Sequence, residues 1–228
     1  MISSAEEQAP FAMDAPKHAR VAGVTPKDAA SLILIDRSRG TLRVLMGRRG
    51  SGHVFMPDVY VFPGGRRDAR DHALPFSADL DPLVVEKLVA GTTARMTSAR
   101  ARALALAALR ELQEETGLAG GSAADLSRLR YVARAITPPG NVRRYDTRFF
   151  LAFADETRFD MALLGDSNEL QDVRWLDIAE LSGLKLPRIT QAVMEDVKNL
   201  MAFDPSLPFG SPVSFYFMRH GRFVRSRL

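Results

Sequence analysis

Apolar residues follow two rhythms along this chain. Short β-branched or aromatic runs, bounded by turn residues, predict strands at residues 31–35, 41–47 and 59–62. The first two are joined by Asp36-Arg-Ser-Arg-Gly40, and the third stops at Pro63-Gly64-Gly65, where the backbone must turn sharply. The same signals predict strands at 130–136, 146–153, 173–176 and 213–218. Helices are announced differently. Asp81 as an N-cap and Pro82 at the first helical position open one that runs to Ala90, with Gly91 ending it. A longer helix runs from Thr97 or Ser98 to Glu115 and is built almost wholly from Ala, Leu, Arg, Glu and Gln, all strong helix formers. Gly117 stands where a left-handed cap belongs. A helical turn is expected at 177–181 and a last long helix at 187–202. Strands mixed with segregated helices give an α+β class rather than a doubly wound sheet.

Composition bounds what such a fold can do. With 228 residues and 46% hydrophobic content there is ample material for one core. Residues 1–25, rich in Ala, Pro, Glu and Lys without periodicity, read as a flexible leader, and residues 26–228 as a single domain. The absence of cysteine excludes disulfides, Cys-ligated zinc, iron–sulfur clusters and thiol nucleophiles. No run reaches the length of a membrane span, and the start of the chain lacks a signal-peptide pattern, so no membrane partner and a cytoplasmic location are expected. The net charge of +4 (31 Lys and Arg against 27 Asp and Glu) suits a phosphate-rich small substrate as well as a nucleic acid. Without aromatic–basic interleaving or an extended Lys/Arg patch, nucleic acid is the poorer fit. A second copy of the chain, as a homodimer, is allowed.

One segment carries chemistry. In Ala108-Leu-Arg-Glu-Leu-Gln-Glu-Glu-Thr-Gly-Leu118, residues Glu111, Glu114 and Glu115 stand at i, i+3 and i+4 of a helix and so share one face. Three uncompensated carboxylates repel one another. A divalent cation with a taste for oxygen ligands, Mg²⁺ or Mn²⁺, removes that penalty.

The stretch Arg110 to Leu118 resembles the second half of the Nudix box, Arg-Glu-apolar-x-Glu-Glu-x-Gly-apolar, and meets each fixed position; Phe62-Pro-Gly-Gly65 resembles the turn that opens the box. The resemblance covers roughly residues 28 to 202. It implies a Nudix fold, a mixed sheet sandwiched between helices, here with a helical insertion. It implies metal-dependent hydrolysis of a nucleoside diphosphate linked to another group. Carried over, Glu111, Glu114, Glu115 and the main-chain carbonyl of Gly64 are metal ligands, and Arg110 orients the acids. Glu114 and Glu169 are alternative general bases; Glu169 also reads as a surface acid before a strand.

The chain departs from the box at two places. Gly65 and Arg110 are 45 positions apart against 14 in the usual box, so about 31 residues are inserted, roughly 69–97. Eight positions before Arg110, where the family has Glu, stands Arg102; Glu86, Asp68 or Asp71 are the acids that could replace it. A long insertion in the box resembles the peroxisomal coenzyme A diphosphatase branch, as do two stretches, His53 to Gly65 and Ile136 to Phe150. That branch implies coenzyme A or an acyl-CoA as substrate. Upstream of the opening turn, Leu45 and Arg49 fit its signature, whereas Gly50, Val54 and Asp58 do not.

In a strand, Arg144, Asp146 and Arg148 share one face and Tyr145, Thr147 and Phe149 the other; two Arg held by one Asp suit a phosphate or a surface salt-bridge ladder. Arg48 and Arg49, just after a strand, are further candidates for phosphate contact. Two other readings stand beside the hydrolase: a catalytically silent nucleotide-sensing module, suggested by Arg102, and an RNA-related pyrophosphohydrolase. Arg219-His-Gly221 matches a phosphatase turn by chance, because only eight residues follow its histidine; the four His show no ligand spacing, and Trp175 reads as core.

Overall fold

The computed structural model describes residues 23–50, 58–90 and 96–228. The expected leader falls almost wholly outside these residues. So do Gly91 and the stretch from His53 to Pro57.

The main sheet is assembled around β1 (Lys27–Asp36), which pairs antiparallel with β2 (Arg43–Arg49). Two short strands follow, β3 (Tyr60–Val61) and β4 (Gly64–Arg66), paired with β2 and β1 respectively. The inserted segment then supplies a 3₁₀ turn at Ala69–Ala73, a short β5 (Phe76–Ala78) and α1 (Pro82–Ala90). The long helix is α2 (Ser98–Thr116), capped as its sequence requires: Thr97 Oγ accepts from the Arg100 amide, and Gly117 takes the left-handed φ of 77°. A two-residue β6 (Ala124–Asp125) pairs with β5. The sheet resumes with β7 (Arg130–Ile136), β8 (Tyr145–Phe153) and β9 (Leu170–Asp177), followed by α3 (Arg188–Phe203) and a hairpin of β10 (Ser214–Arg219) and β11 (Arg222–Arg227).

Across the main sheet the order is β11-β10-β7-β8-β1-β2-β3, with β4 beside β1 and β9 beside β2. The β1–β8 and β10–β7 pairs are parallel and the rest antiparallel, so the sheet is mixed. Helices cover both faces. Alternate residues of β1 show the division: Leu32 and Leu34 join α1 and α2 in one core, while Ile33 and Ile35 join α3 in the other. In α3, Thr190, Val193, Met194, Val197 and Met201 form the buried stripe.

The hairpin at the end of the chain extends beyond the single strand expected there. His220 and Gly221 connect its strands with φ of 51° and 76°, the left-handed pair that a two-residue hairpin turn requires. That turn explains Arg219-His220-Gly221 without phosphate chemistry. Trp175 is partly buried against the α2-side core. No helix of the described residues is long and apolar enough to cross a membrane.

Candidate active site

The site is built by local folding of α2 and by strand pairing that brings distant residues to it. Helical spacing puts Glu111, Glu114 and Glu115 on neighbouring positions of the last turns of α2. Pairing of β4 with β1 sets Gly64 opposite Ser31 and Gly65 opposite Ala30, and lays the opening turn against α2. Glycine is needed there for close approach: a Cβ on Gly64 would strike the Ala30 carbonyl and the Ser31 backbone, and one on Gly65 would overlap the Glu111 carboxylate. The Gly64 amide donates to Glu115 Oε2 at 2.8 Å. Pairing of β9 with β2 sets Leu170 opposite Arg49, which brings Glu169, far off in sequence, beside the same acids.

Electrostatics concentrate there. Burial pushes the Glu115 carboxyl up to about 8, against the Gly64 hydrogen bond and nearby Arg49, and with Glu111 and Glu169 adding repulsion. Burial also raises the Glu111 carboxyl, a shift that adjacent Arg110 opposes. Arg110 is the local counter-charge: its guanidinium lies 2.9 Å from Glu111, donates to Glu114 at 2.8 Å, and donates through Nε to Asp71 at 2.7 Å.

A cavity of about 430 Å³ opens beside these acids and crosses the α3 face of the sheet. Glu111, Glu114, Glu115, Glu169, Gly64 and Gly65 line it, together with Arg49 and Arg66. Its wall beyond them includes Thr137, Arg143, Tyr145, Phe149, Tyr216 and Phe223. The volume falls in the range of small-molecule sites, with a mixed apolar and charged lining.

Residues 100–197 match the family model described as the NUDIX domain. That stretch, which contains nearly all of α2 and its acids, is where this chain is similar to the Nudix domain. A Nudix hydrolase from Alicyclobacillus acidocaldarius is 25% identical, with 76% of this chain and 91% of that chain covered and a TM-score of 0.56. A MutT Nudix hydrolase from Burkholderia pseudomallei is 18% identical over 76% of this chain and 99% of that one, at a TM-score of 0.48. The Nudix domain of Shewanella oneidensis NrtR, solved with ADP ribose, is 15% identical over 80% and 93%, at 0.47. These last two superpose too loosely to bear on function. No functionally curated protein matches the chain. The fold is the Nudix fold in the α+β class, shared with Nudix hydrolases.

Counting back eight from Arg110 lands on Arg102, whereas counting forward six from Gly65 lands on Asp71. Asp71 is fully buried, accepts from the amide of Asp68, the N-cap of the Ala69–Ala73 turn, and holds Arg110. Asp71 thus stands at the position of the pattern's first acid when counted from Gly65, within the segment 69–97 expected to be inserted. Arg102 is engaged elsewhere: it pairs with Asp79 at 2.5 Å and lies over the Phe76 ring at 4.7 Å, fastening the insertion to α2. Glu86 and Asp68 make no bond to Arg110; the Asp68 side chain accepts from the Arg70 amide.

The candidate phosphate ligands divide. Arg49 lines the cavity, whereas Arg48, its neighbour on β2, turns to Asp58 at 3.3 Å. The alternation expected for 144–149 holds, but Tyr145, Thr147 and Phe149 face the cavity. Arg144 donates to the Thr137 and Val24 carbonyls, at 2.9 and 2.7 Å. Arg148, 2% exposed, is held by Asp28 and Asp146 on the α2 side. Both are thus turned away from the cavity by the pleat of β8. Arg66 and Arg143, which no sequence motif singles out, line it instead.

Nudix hydrolases generally use divalent cations, and the donors here fit one. They are carboxylate oxygens, two of the groups having a pKa raised by burial and then by neighbouring acids, and Glu169 faces them across a shared cleft. Among the described residues no three acidic or histidine side chains converge tightly enough to hold an ion as they stand. Their present partners explain the spacing: Glu111 and Glu114 lean to Arg110, and Glu115 to the Gly64 amide.

Proposed function

We propose that this protein is a metal-dependent hydrolase of a diphosphate linkage in a nucleoside diphosphate derivative, with coenzyme A or an acyl-CoA as the substrate to test first. The observation that carries this reading is the gathering of Glu111, Glu114, Glu115 and Glu169 with Arg49 and Arg66 in one cavity. The acids suit a cation, the guanidiniums suit phosphate oxygens, and the wall beyond them offers Tyr145, Phe149, Tyr216 and Phe223 to an apolar or aromatic moiety. The coenzyme A assignment is supported by the stretch from Ile136 to Phe150, which resembles that branch: Ile136, Thr137, Arg143, Tyr145, Thr147 and Phe149 from it line the cavity.

Glu111, Glu114, Glu115 and Gly64 would hold the cation, Mg²⁺ or Mn²⁺, with Glu169 facing them. Bound there, it would supply charge neutralisation and an acidified water. The chain's own groups do the rest. Arg110, anchored by Asp71, holds Glu111 and Glu114 in place. Arg49 and Arg66 orient the diphosphate. Glu169, exposed and set in the cleft, takes the proton of the attacking water; Glu114 is the alternative, but it is already engaged by Arg110.

Asp71 weakens the competing view of a silent binding module. That view drew on Arg102 at a Glu position, and Asp71 now supplies the acid. The deciding assay incubates the protein with Mg²⁺ or Mn²⁺ and coenzyme A, acetyl-CoA, ADP-ribose, NADH, diadenosine polyphosphates, nucleoside triphosphates or capped RNA. Glu115→Gln is the control. Release of 3′,5′-ADP and a phosphopantetheine, lost in the control, supports the full reading. Turnover of another compound keeps the hydrolase and removes coenzyme A, and no turnover by folded, metal-loaded protein overturns both.

A further inference from the structure

A second cavity, of about 400 Å³, lies behind α2, away from the one described above. The insertion makes one of its walls: the parallel β5–β6 pair (Phe76 opposite Ala124) carries Leu74, Pro75 and Ser77 up against the loop that follows α2. The helix supplies Leu106, Leu109, Arg110 and Gln113, a single stripe at i, i+3, i+4 and i+7. Leu118 and Phe159 complete an apolar interior.

The mouth is charged, and the charge is unbalanced. Arg128 and Arg158 both line it and are exposed; among the described residues neither guanidinium has a hydrogen bond or a close ion pair, and both act on Asp125 only at longer range. Of the two acids nearby, Glu156 is already taken by Arg130 and Arg37, at 2.8 and 3.0 Å. Asp125 is engaged by the Ser127 amide and hydroxyl at 2.9 and 2.6 Å. Two guanidiniums thus face one partly occupied carboxylate at the rim of an apolar hole.

We propose that this cavity binds a small amphipathic anion, with its apolar body against Leu106, Leu109 and Phe159 and its acidic head between Arg128 and Arg158. Burial of an alkyl or aryl body supplies the driving force, and the two cations select a carboxylate or phosphate head over a neutral one. The site also gives the insertion a use, since the cavity would lack a wall without β5. It borders Arg110, whose guanidinium holds the acids on the other side of α2.

The test is calorimetric titration of the full chain with decanoate, with decanol as the uncharged counterpart. Arg128→Ala/Arg158→Ala removes only exposed side chains, so its fold should survive, and circular dichroism checks that. Arg49→Ala/Arg143→Ala reports on binding in the other cavity. The expected result is one saturable site for decanoate, decanol at least tenfold weaker, a loss of at least tenfold in Arg128→Ala/Arg158→Ala, and no change in Arg49→Ala/Arg143→Ala. Absence of saturable binding, equal binding of decanol, unchanged affinity in the first double variant or loss in the second would each overturn the proposal.

Discussion

Asp71 sits with no exposed surface against Arg110, accepting from its Nε at 2.7 Å while also accepting from the Asp68 amide at 2.6 Å. The two residues answer to one box pattern but are separated by most of the segment expected to be inserted. Removing one partner of a buried ion pair costs about 3–5 kcal/mol when the other charge is left unpaired, and less here because Arg110 keeps Glu111 and Glu114. Asp71→Ala should therefore lower the unfolding free energy by about 1–3 kcal/mol in urea titrations. Turnover should fall further than occupancy of the fold explains, because Arg110 would no longer be anchored as it holds Glu111 and Glu114. A variant with undiminished stability would show that Glu111 and Glu114 alone suffice to hold Arg110.

Arg102 should behave in the opposite way. Its Asp79 partner is 45% exposed, so water screens the pair, and exposed pairs contribute about 0–1 kcal/mol. Loss of the Phe76 contact adds a similar amount. Arg102→Ala should cost about 1 kcal/mol and leave kcat within a few-fold. Arg102→Glu, which restores the family's residue at the counted-back position, should not raise activity, since Asp71 already supplies that acid. A large gain in kcat for Arg102→Glu would return the supporting role to residue 102.

The metal-free protein should become less stable as pH rises. The Glu115 carboxyl is pushed up to about 8 from an ordinary 4.5, so the folded state holds its proton more tightly than the unfolded chain does. The stability it contributes is fully present below about 4.5 and is lost as pH rises through 8. Thermal melts in EDTA should show a Tm that declines across this window, and Glu115→Gln should flatten the decline. Saturating Mg²⁺ should restore Tm at the alkaline end, because a cation compensates the buried charge. A Tm that climbs from pH 5 to 8 in EDTA would contradict the burial of this carboxyl.

Local features of the fold were legible because their causes are local. Thr97 and Gly117 cap α2 by their own side-chain and backbone chemistry, and the carboxylate face follows from helical spacing alone. What depended on pairing was not legible. Glu169 reaches the acids through the register of β9 on β2, which no short window contains. The alternation in β8 was readable, but not which side fronts the cavity, because both faces of that strand are buried: Phe149 and Leu151 on one, Phe150 and Ala152 on the other. The β5–β6 pair is too short to carry a pattern. The last strand, Arg222–Arg227, hides its alternation under arginines, although His220-Gly221 was a usable turn signal.

The two arginine pairs proposed for phosphate contact can be separated by kinetics. Arg49 lines the cavity beside Glu115, whereas Arg148 is enclosed by Asp28 and Asp146 with its Nε unpartnered. Arg49→Ala removes a cation from the substrate's path but none of the core. It should raise KM about tenfold or more, equivalent to about 1.4 kcal/mol, with a Tm close to the parent's. Arg148→Ala removes a buried side chain but leaves Asp28 with Arg67 and Arg100 and Asp146 with Arg134, so it should lower stability by about 1–3 kcal/mol while leaving KM within a few-fold below the melting range. Urea unfolding and initial-rate kinetics on the same two variants provide the check. If Arg148→Ala raised KM without loss of stability, the α2 face of β8 would have to open to substrate, and the cavity on the α3 face would lose its claim as the sole binding wall.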